Sequence, residues 1–283
     1  MPAKLDPVRR QLPLGFLLLW ASLPLPVLRG QTAQPALTPA QAQALVQRAL
    51  ATESLAAQDL SHVSHPMRYQ LRKTSPRLTS TKEIIETRDG FVARLLSIND
   101  QPLSPASEQE EQARLDALLN DPGLQQHRKQ SEDSDTARAL KVLRVLPNAF
   151  IYEFAGTGTG AIGPGATGTV EKFSFKPNPH FDPPDLETGV LTAMAGEIWI
   201  DPAQERVVRL AGSLQQDKDF GLGILGELDK GGWIEIDQAD VGEHQWRIVH
   251  LKLVMNGRVL FKAKNSNSVQ EYTQFVPLPA DLT

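Results

Sequence analysis

The chain has 283 residues, with 29 basic against 33 acidic side chains and a net charge of −4. An acidic balance argues against nucleic-acid binding and against electrostatic adsorption on anionic lipid. The complete lack of cysteine excludes disulfides, thiol catalysis, thiolate metal sites and a lipid anchor on an N-terminal cysteine.

Residues 1–30 read as an export signal. Lys4, Arg9 and Arg10 form a basic start, and an apolar stretch over residues 12–28 follows, broken by Gly15, Pro24 and Pro26. A membrane-spanning helix needs roughly 20 apolar residues, so a cleaved signal peptide fits better than an anchor. Gly30 is the small residue before the cut. The expectation is a periplasmic or secreted protein with no transmembrane segment after cleavage and one domain over residues 31–283. Cleavage removes four basic residues and one acidic one, which moves the net charge to −7. A mature chain of this size buries about three quarters of its unfolded surface, enough core to do without disulfides.

Thr38-Pro39-Ala40-Gln41 supplies an N-cap, a proline in the first turn and a capping glutamine. Ala42, Leu45, Val46, Ala49 and Leu50 follow at helical spacing and predict an amphipathic helix over residues 38–54. Met67, Tyr69 and Leu71 then alternate with Arg68, Gln70 and Arg72, the period of a half-buried strand. Residues 82–88 and 91–98 read as two strands joined at Asp89-Gly90, a two-residue hairpin signal that would set Ile84 opposite Leu95.

The period changes next. Ser107-Glu108-Gln109-Glu110 reads as a capping box, with Leu115, Leu118 and Leu119 in a helix over residues 105–120 that stops at Asp121-Pro122-Gly123. Ala139, Val142, Leu143 and Leu146 share one face of a second helix over residues 124–146, expected to end before Pro147. These helices form an insertion at residues 104–146. The charged run over residues 128–135 reads as a solvated helix face in preference to a docking surface.

Strands return after Pro147. Phe150, Tyr152 and Phe154 share one face, as do Phe173 and Phe175, with a loop at residues 156–168 holding six glycines. Met194, Ile198 and Ile200 lead to a turn at Asp201-Pro202-Ala203-Gln204, then to Val208 and Leu210. Further strands are expected around Leu225, at residues 233–236 and at residues 246–255. Asn256-Gly257 signals a hairpin that would pair Val254 with Val259 and Leu253 with Leu260, and residues 269–276 would close the sheet. The count is about ten strands, with no repeat and no interdomain linker. Ile248 and Val254 on one face, and Val249, Leu251, Leu253 and Met255 on the other, imply that both faces are partly covered, by helices alone or by helices plus a hydrophobic ligand.

No motif names a chemistry. Gly158-Thr159-Gly160-Ala161-Ile162-Gly163 matches a dinucleotide-binding pattern literally, but Pro164, Gly165 and a β-like segment follow where a helix must begin, so it reads as a hairpin loop. His62 with His65, and His180 with Asp182 and Asp185, lack the further ligands of a zinc site. Asp217, Lys218 and Asp219 lack the spacing of a calcium loop. No G-x-S-x-G marks a nucleophilic serine.

Gly196-Glu197-Ile198-Trp199-Ile200-Asp201-Pro202, followed by Arg206-Val207-Val208-Arg209-Leu210, resembles a strand–turn–strand pattern of the periplasmic lipoprotein-carrier superfamily. That group includes LolA-like carriers, LolB-like receptors and RseB-like stress regulators. The resemblance is specific over residues 187–214, and the order of elements is similar over residues 38–276. It implies an α+β fold: a large curved antiparallel sheet, an open half-barrel, with helices covering its concave face. In the carriers that cavity holds lipid acyl chains. The missing cysteine departs from the lipid-anchored receptors, and the longer mature chain and larger helical insertion depart from the carriers.

The resulting expectation is an exported, non-enzymatic binding protein. It would hold a lipid, a lipoprotein acyl chain or another apolar group in a half-barrel cavity, in lipoprotein sorting or envelope transport. Candidate wall residues are Met194, Trp199, Leu210, Leu225, Trp233, Leu253 and Phe261. No catalytic residue, metal ligand or cofactor is expected. Two alternatives stand beside this reading: a module that binds an envelope protein partner or senses stress, and a secreted hydrolase whose site no motif reveals.

Overall fold

The computed structural model describes residues 37–62, 65–87, 90–160, 168–220, 226–242, 244–259, 262–263, 265–280 and 282. The export-signal reading of residues 1–30, and the candidates Leu225 and Phe261, lie outside them. In chain order come a helix at Pro39–His62 (α1), then strands Met67–Thr74 (β1), Thr79–Thr87 (β2), Gly90–Ile98 (β3) and Gln101–Pro102 (β4). Helices Pro105–Asn120 (α2) and Pro122–Ala149 (α3) follow, then strands Phe150–Thr159 (β5) and Thr169–Pro177 (β6). A short 3₁₀ turn at Thr188–Ala193 precedes Met194–Asp201 (β7), Arg206–Leu214 (β8), Lys218–Phe220 (β9) and Gly226–Leu228 (β10). The chain continues through Trp233–Asp240 (β11), Trp246–Met255 (β12), Gly257–Val259 (β13), Lys262–Ala263 (β14) and Ser266–Pro277 (β15).

Eleven strands form one open, curved antiparallel sheet in the order β4-β3-β2-β1-β15-β12-β11-β8-β7-β6-β5. With the helices this is the expected α+β architecture. The remaining four strands make a small sheet in the order β14-β13-β10-β9. The last long strand, β15, does not close an edge. It sits between β1 and β12 and joins the N-terminal meander to the rest of the sheet. No helix among the described residues is long and apolar enough to cross a membrane.

The helices form where the sequence caps them. Gln41 Oε1 accepts from Thr38 N at 2.9 Å, and Gln41 N donates to Thr38 Oγ1 at 3.3 Å, so the expected reciprocal cap of α1 is present. The cap of α2 is Ser104, which accepts from Ser107 N, so the helix starts ahead of the expected Ser107 box. Asp121 both stops α2 and caps α3, accepting from Gly123 N and Leu124 N. Pro147 does not end α3, which runs on to Ala149. Carbonyls of this last turn find other donors: Gln43 Nε2 reaches Pro147 O at 2.8 Å, and Tyr152 Oη reaches Leu146 O at 2.9 Å.

One face of α1, carrying Ala42, Leu45, Val46, Ala49 and Leu50, packs with Leu146 and Ala149 of α3 onto Phe150, Tyr152, Phe173, Phe175, Ile198 and Ile200. Each of the larger side chains contributes about 1.5–3 kcal/mol through burial. This core lies over β5 to β8, toward one end of the sheet. The helix-side face of β1 to β3, β12 and β15 has much less helix against it.

Two expected hairpins differ in register. Thr87 pairs with Gly90, so Ile84 faces Ala93, and Leu95 faces Lys82. Gly90, at φ +128°, already belongs to the strand, so the register is shifted from the expected one. Across Asn256-Gly257 there is no hairpin. β12 pairs with β11 and β15, while β13 leaves for the small sheet and pairs with β10 and β14. The switch is set by Gly257, which lies against the Glu227 backbone where no Cβ fits, and by Asp229 N, which donates to Asn256 O at 2.9 Å.

Candidate functional site

Where α3 bridges from the core toward β3, it roofs a cavity of about 520 Å³. The sheet floor is Tyr69 of β1, Glu86 of β2, Phe91 of β3, Arg247 and Ile248 of β12, and Tyr272 and Phe275 of β15. The roof is Ala57 of α1 with Arg128, Glu132, Thr136 and Ala139 of α3, four positions at helical spacing that share one face. An adjoining hollow of about 490 Å³ continues under the α2–α3 hairpin and shares Phe91 and Arg128.

The aromatic floor depends on a bulge. Arg68 faces Val276 and Gln70 faces Thr273, so two residues of β15 stand opposite Tyr69 alone. Gln274 takes the extra position at φ +58°. In a regular strand Tyr272 and Phe275, three apart, would point to opposite faces. The bulge turns both toward Tyr69, whose ring centroid lies 6.0 Å from that of Tyr272 and 5.2 Å from that of Phe275. A second irregularity, where Asp237 faces His250 but Gln238 faces Ile248, shifts Arg247 and Ile248 at the start of β12.

Charges of both signs line the same space. Glu86 Oε2 accepts from Met67 N at 3.0 Å and lies 4.0 Å from Arg247 Nη2. Burial holds the Glu86 carboxyl above its ordinary value, against the pull of Arg247 and the Met67 amide. Burial also raises the Glu132 carboxyl, although Arg128 and a backbone bond from Phe91 oppose the shift. The Tyr69 hydroxyl is raised by burial, and Glu86 and Glu132 add to the rise while Arg247 works against it. A Cβ on Gly90 would meet Glu132 Oε2 at 2.7 Å, so the glycine leaves room for this carboxylate.

The helical hairpin also occupies the exposed edge of β3. Arg128 Nη2 donates to Phe91 O at 2.5 Å, Arg114 Nη2 to Ala93 O at 2.5 Å, and Leu95 N donates to Glu111 Oε1 at 2.7 Å. Glu132 accepts from the Phe91 backbone. Residues 91, 93 and 95 point their backbone groups the same way, and two charged helix pairs satisfy them. The run over residues 128–135, expected to be a solvated face, therefore roofs the cavity on one side and is solvated on the other.

None of the five described wall candidates, Met194, Trp199, Leu210, Trp233 and Leu253, lines this cavity. Met194 is buried in the main core, and Leu210 packs against it. Leu253, half-buried, faces Ile234 and Ser268. Trp199 and Trp233 lie on the opposite sheet face. There Lys172 Nζ is 4.0 Å from the centre of the Trp199 ring and Arg209 is 5.4 Å from it, while Trp233 Nε1 donates to Glu235 at 3.1 Å. Sequence reading took Tyr69 only as part of a strand and missed Glu86, Phe91, Glu132, Arg247, Tyr272 and Phe275 as a group.

Other clusters have structural partners. Glu235, Asp237 and His250 hold metal-ligand atoms within 4.8 Å of one another, but the Arg209 guanidinium already binds both carboxylates at 2.9 Å, and Glu271 holds His250 Nδ1 at 2.7 Å. Asp185 accepts from Thr188 N at the start of the 3₁₀ turn, His180 N donates to Asn178 Oδ1, and Asp217 accepts from Lys230 N. β5 pairs directly with β6 around the glycine-rich loop, of which residues 161–167 lie outside the described ones.

The fold and cavity define an open antiparallel sheet with a helical cover and a lateral pocket. Comparison of the chain with family models, with curated proteins and with solved structures gives no match.

Proposed function

We propose that this chain is an exported binding protein, and not an enzyme, whose lateral cavity takes a lipid or another apolar group. The observation that carries this reading is the cavity between α3 and strands β1, β2, β3, β12 and β15, floored by Tyr69, Phe91, Tyr272 and Phe275. Its volume lies within the roughly 300–1,000 Å³ of small-molecule sites, which are lined mainly by apolar and aromatic groups with a few placed polar ones. The resemblance to lipoprotein carriers over residues 187–214 points to the same class of ligand and to the cell envelope.

Native mass spectrometry on protein purified from its own envelope tests the reading. A lipid-sized mass that travels with the chain, and a rise in melting temperature when that lipid is added back, are the expected results. A bare chain that gains no stability from any lipid extract removes it.

A further inference from the structure

The polar groups of the cavity narrow the ligand further, on the reading just given that the cavity binds an apolar group. Four aromatic rings and the carboxylates of Glu86, Glu132, Asp133 and Asp135 line one partly enclosed space. Neither Glu86 nor Glu132 is tightly paired. Arg247 stands 4.0 Å from Glu86, and Arg128 stands 3.7 Å from Glu132, whereas close charge-assisted bonds are about 2.7–2.9 Å long.

The cations are committed elsewhere. Arg247 donates to His65 O at 3.0 Å and to Trp246 O at 3.1 Å. Arg128 donates to Phe91 O and lies 5.3 Å from the centre of the Phe91 ring. Lys129, which also lines the cavity, pairs with Asp133 at 3.6 Å. Arg128 over Phe91 is also an instance, within this cavity, of a cation resting on an aromatic face.

We propose that the cavity selects a single-chain amphiphile with an ammonium head, its alkyl chain on Tyr69, Tyr272 and Phe275 and its cation between Glu86 and Glu132. Aromatic faces and carboxylates both attract an ammonium group, and partial burial strengthens both effects. The shift of both carboxyls toward the neutral form through burial agrees with a site that lacks a close cation when empty. A carboxylate head would instead meet these acids, with Arg128, Lys129 and Arg247 already paired or hydrogen-bonded.

Isothermal titration of the full chain with three probes of equal chain length tests this, each kept below its critical micelle concentration: dodecyltrimethylammonium, dodecanoate and a neutral dodecyl ethylene-glycol ether. The expected result is binding of the ammonium probe roughly tenfold tighter than either of the others. Glu132→Gln should abolish that preference. Glu86→Gln is the second variant, should the first fail to fold. Equal affinities, tighter binding of dodecanoate, or a preference that survives both variants would overturn the ammonium assignment while leaving the apolar site in place. Binding of none of the three probes would overturn both.

Discussion

Glu53 of α1 and Arg206 of β8 form a two-pronged ion pair, Oε1 to Nε at 2.9 Å and Oε2 to Nη2 at 3.0 Å. The same carboxylate also accepts from Val207 N at 2.9 Å. Only 8% of the Glu53 side chain and 11% of the Arg206 side chain are exposed. The pair ties α1 to β8, and the Arg206 guanidinium lies 5.3 Å from the centre of the Trp246 ring.

Removing one partner of a buried pair leaves the other charge uncompensated, at a cost of about 3–5 kcal/mol. Glu53→Ala should therefore lower the unfolding free energy by about 3 kcal/mol in urea titration, because it also orphans the Val207 amide. A loss under 1 kcal/mol would mean that the helix is held by its apolar face alone.

The β3 edge yields a prediction about assembly. A sheet edge with unpaired backbone groups recruits other strands, and Glu111, Arg114, Arg128 and Glu132 occupy this one. The double variant Arg114→Ala/Arg128→Ala should keep its far-UV spectrum yet self-associate with rising concentration in analytical ultracentrifugation. A variant that behaves like the parent chain at every concentration would show that the short β4 protects the edge by itself.

Local signals made α1 legible, through the Thr38–Gln41 cap and the spacing from Ala42 to Leu50, and likewise the strand alternation at Met67, Tyr69 and Leu71. The cavity was not legible, because its floor depends on β15 lying between β1 and β12, a pairing between segments about 200 residues apart. The bulge at Gln274 added a second obstacle. Strict alternation assigns Tyr272 and Phe275 to different faces, and nothing local says that the register breaks between them. The failed hairpin at Asn256-Gly257 has a similar origin. The dipeptide favours a tight turn, but β10 offers β13 a partner that only the folded chain reveals.

Trp199 and Trp233 are two of the candidates for an apolar wall, and the structure puts both on the other side of the sheet. Trp199 packs with Val170, Val208 and Trp246 and lies between Lys172 and Arg209. Trp199→Ala should cost about 3 kcal/mol of stability, at the low end for large aromatics because the ring is only partly buried, and leave amphiphile affinity unchanged. A loss of affinity with stability intact would move the site to this face.

Asp185 gives an acid-limb prediction. The Thr188 backbone N–H, donating at 2.8 Å, and then Lys141 Nζ, at 2.9 Å, hold its carboxyl down from 3.8 to about 2. A carboxyl lowered in the folded state adds stability above its unfolded value, and that contribution is lost as pH falls through the folded one. Asp185→Asn should thus reduce stability at pH 5 and converge with the parent chain as pH falls from about 4 toward 2. Parallel stability curves across that window would contradict the linkage.

Glu86 carries the opposite sign, and with it the sharpest separation of function from stability. Its carboxyl is raised by burial, so the folded state prefers the protonated form. The contribution of that form is present at low pH and is lost as pH rises through the folded value. Any charge that this carboxyl carries at pH 7 is therefore held at a cost to folding. Glu86→Gln retains an acceptor for the Met67 amide and removes the charge, and Arg247 keeps its bonds to the His65 and Trp246 carbonyls. The variant should be more stable than the parent chain at pH 7, with a higher urea midpoint, and the gain should fade as pH falls through the raised folded value toward the ordinary carboxyl value. A site that holds charge for a ligand gives up stability to do so, so the same variant should bind the ammonium probe more weakly. A variant less stable at pH 7 would make Glu86 a structural partner of Arg247 and take it out of the binding site.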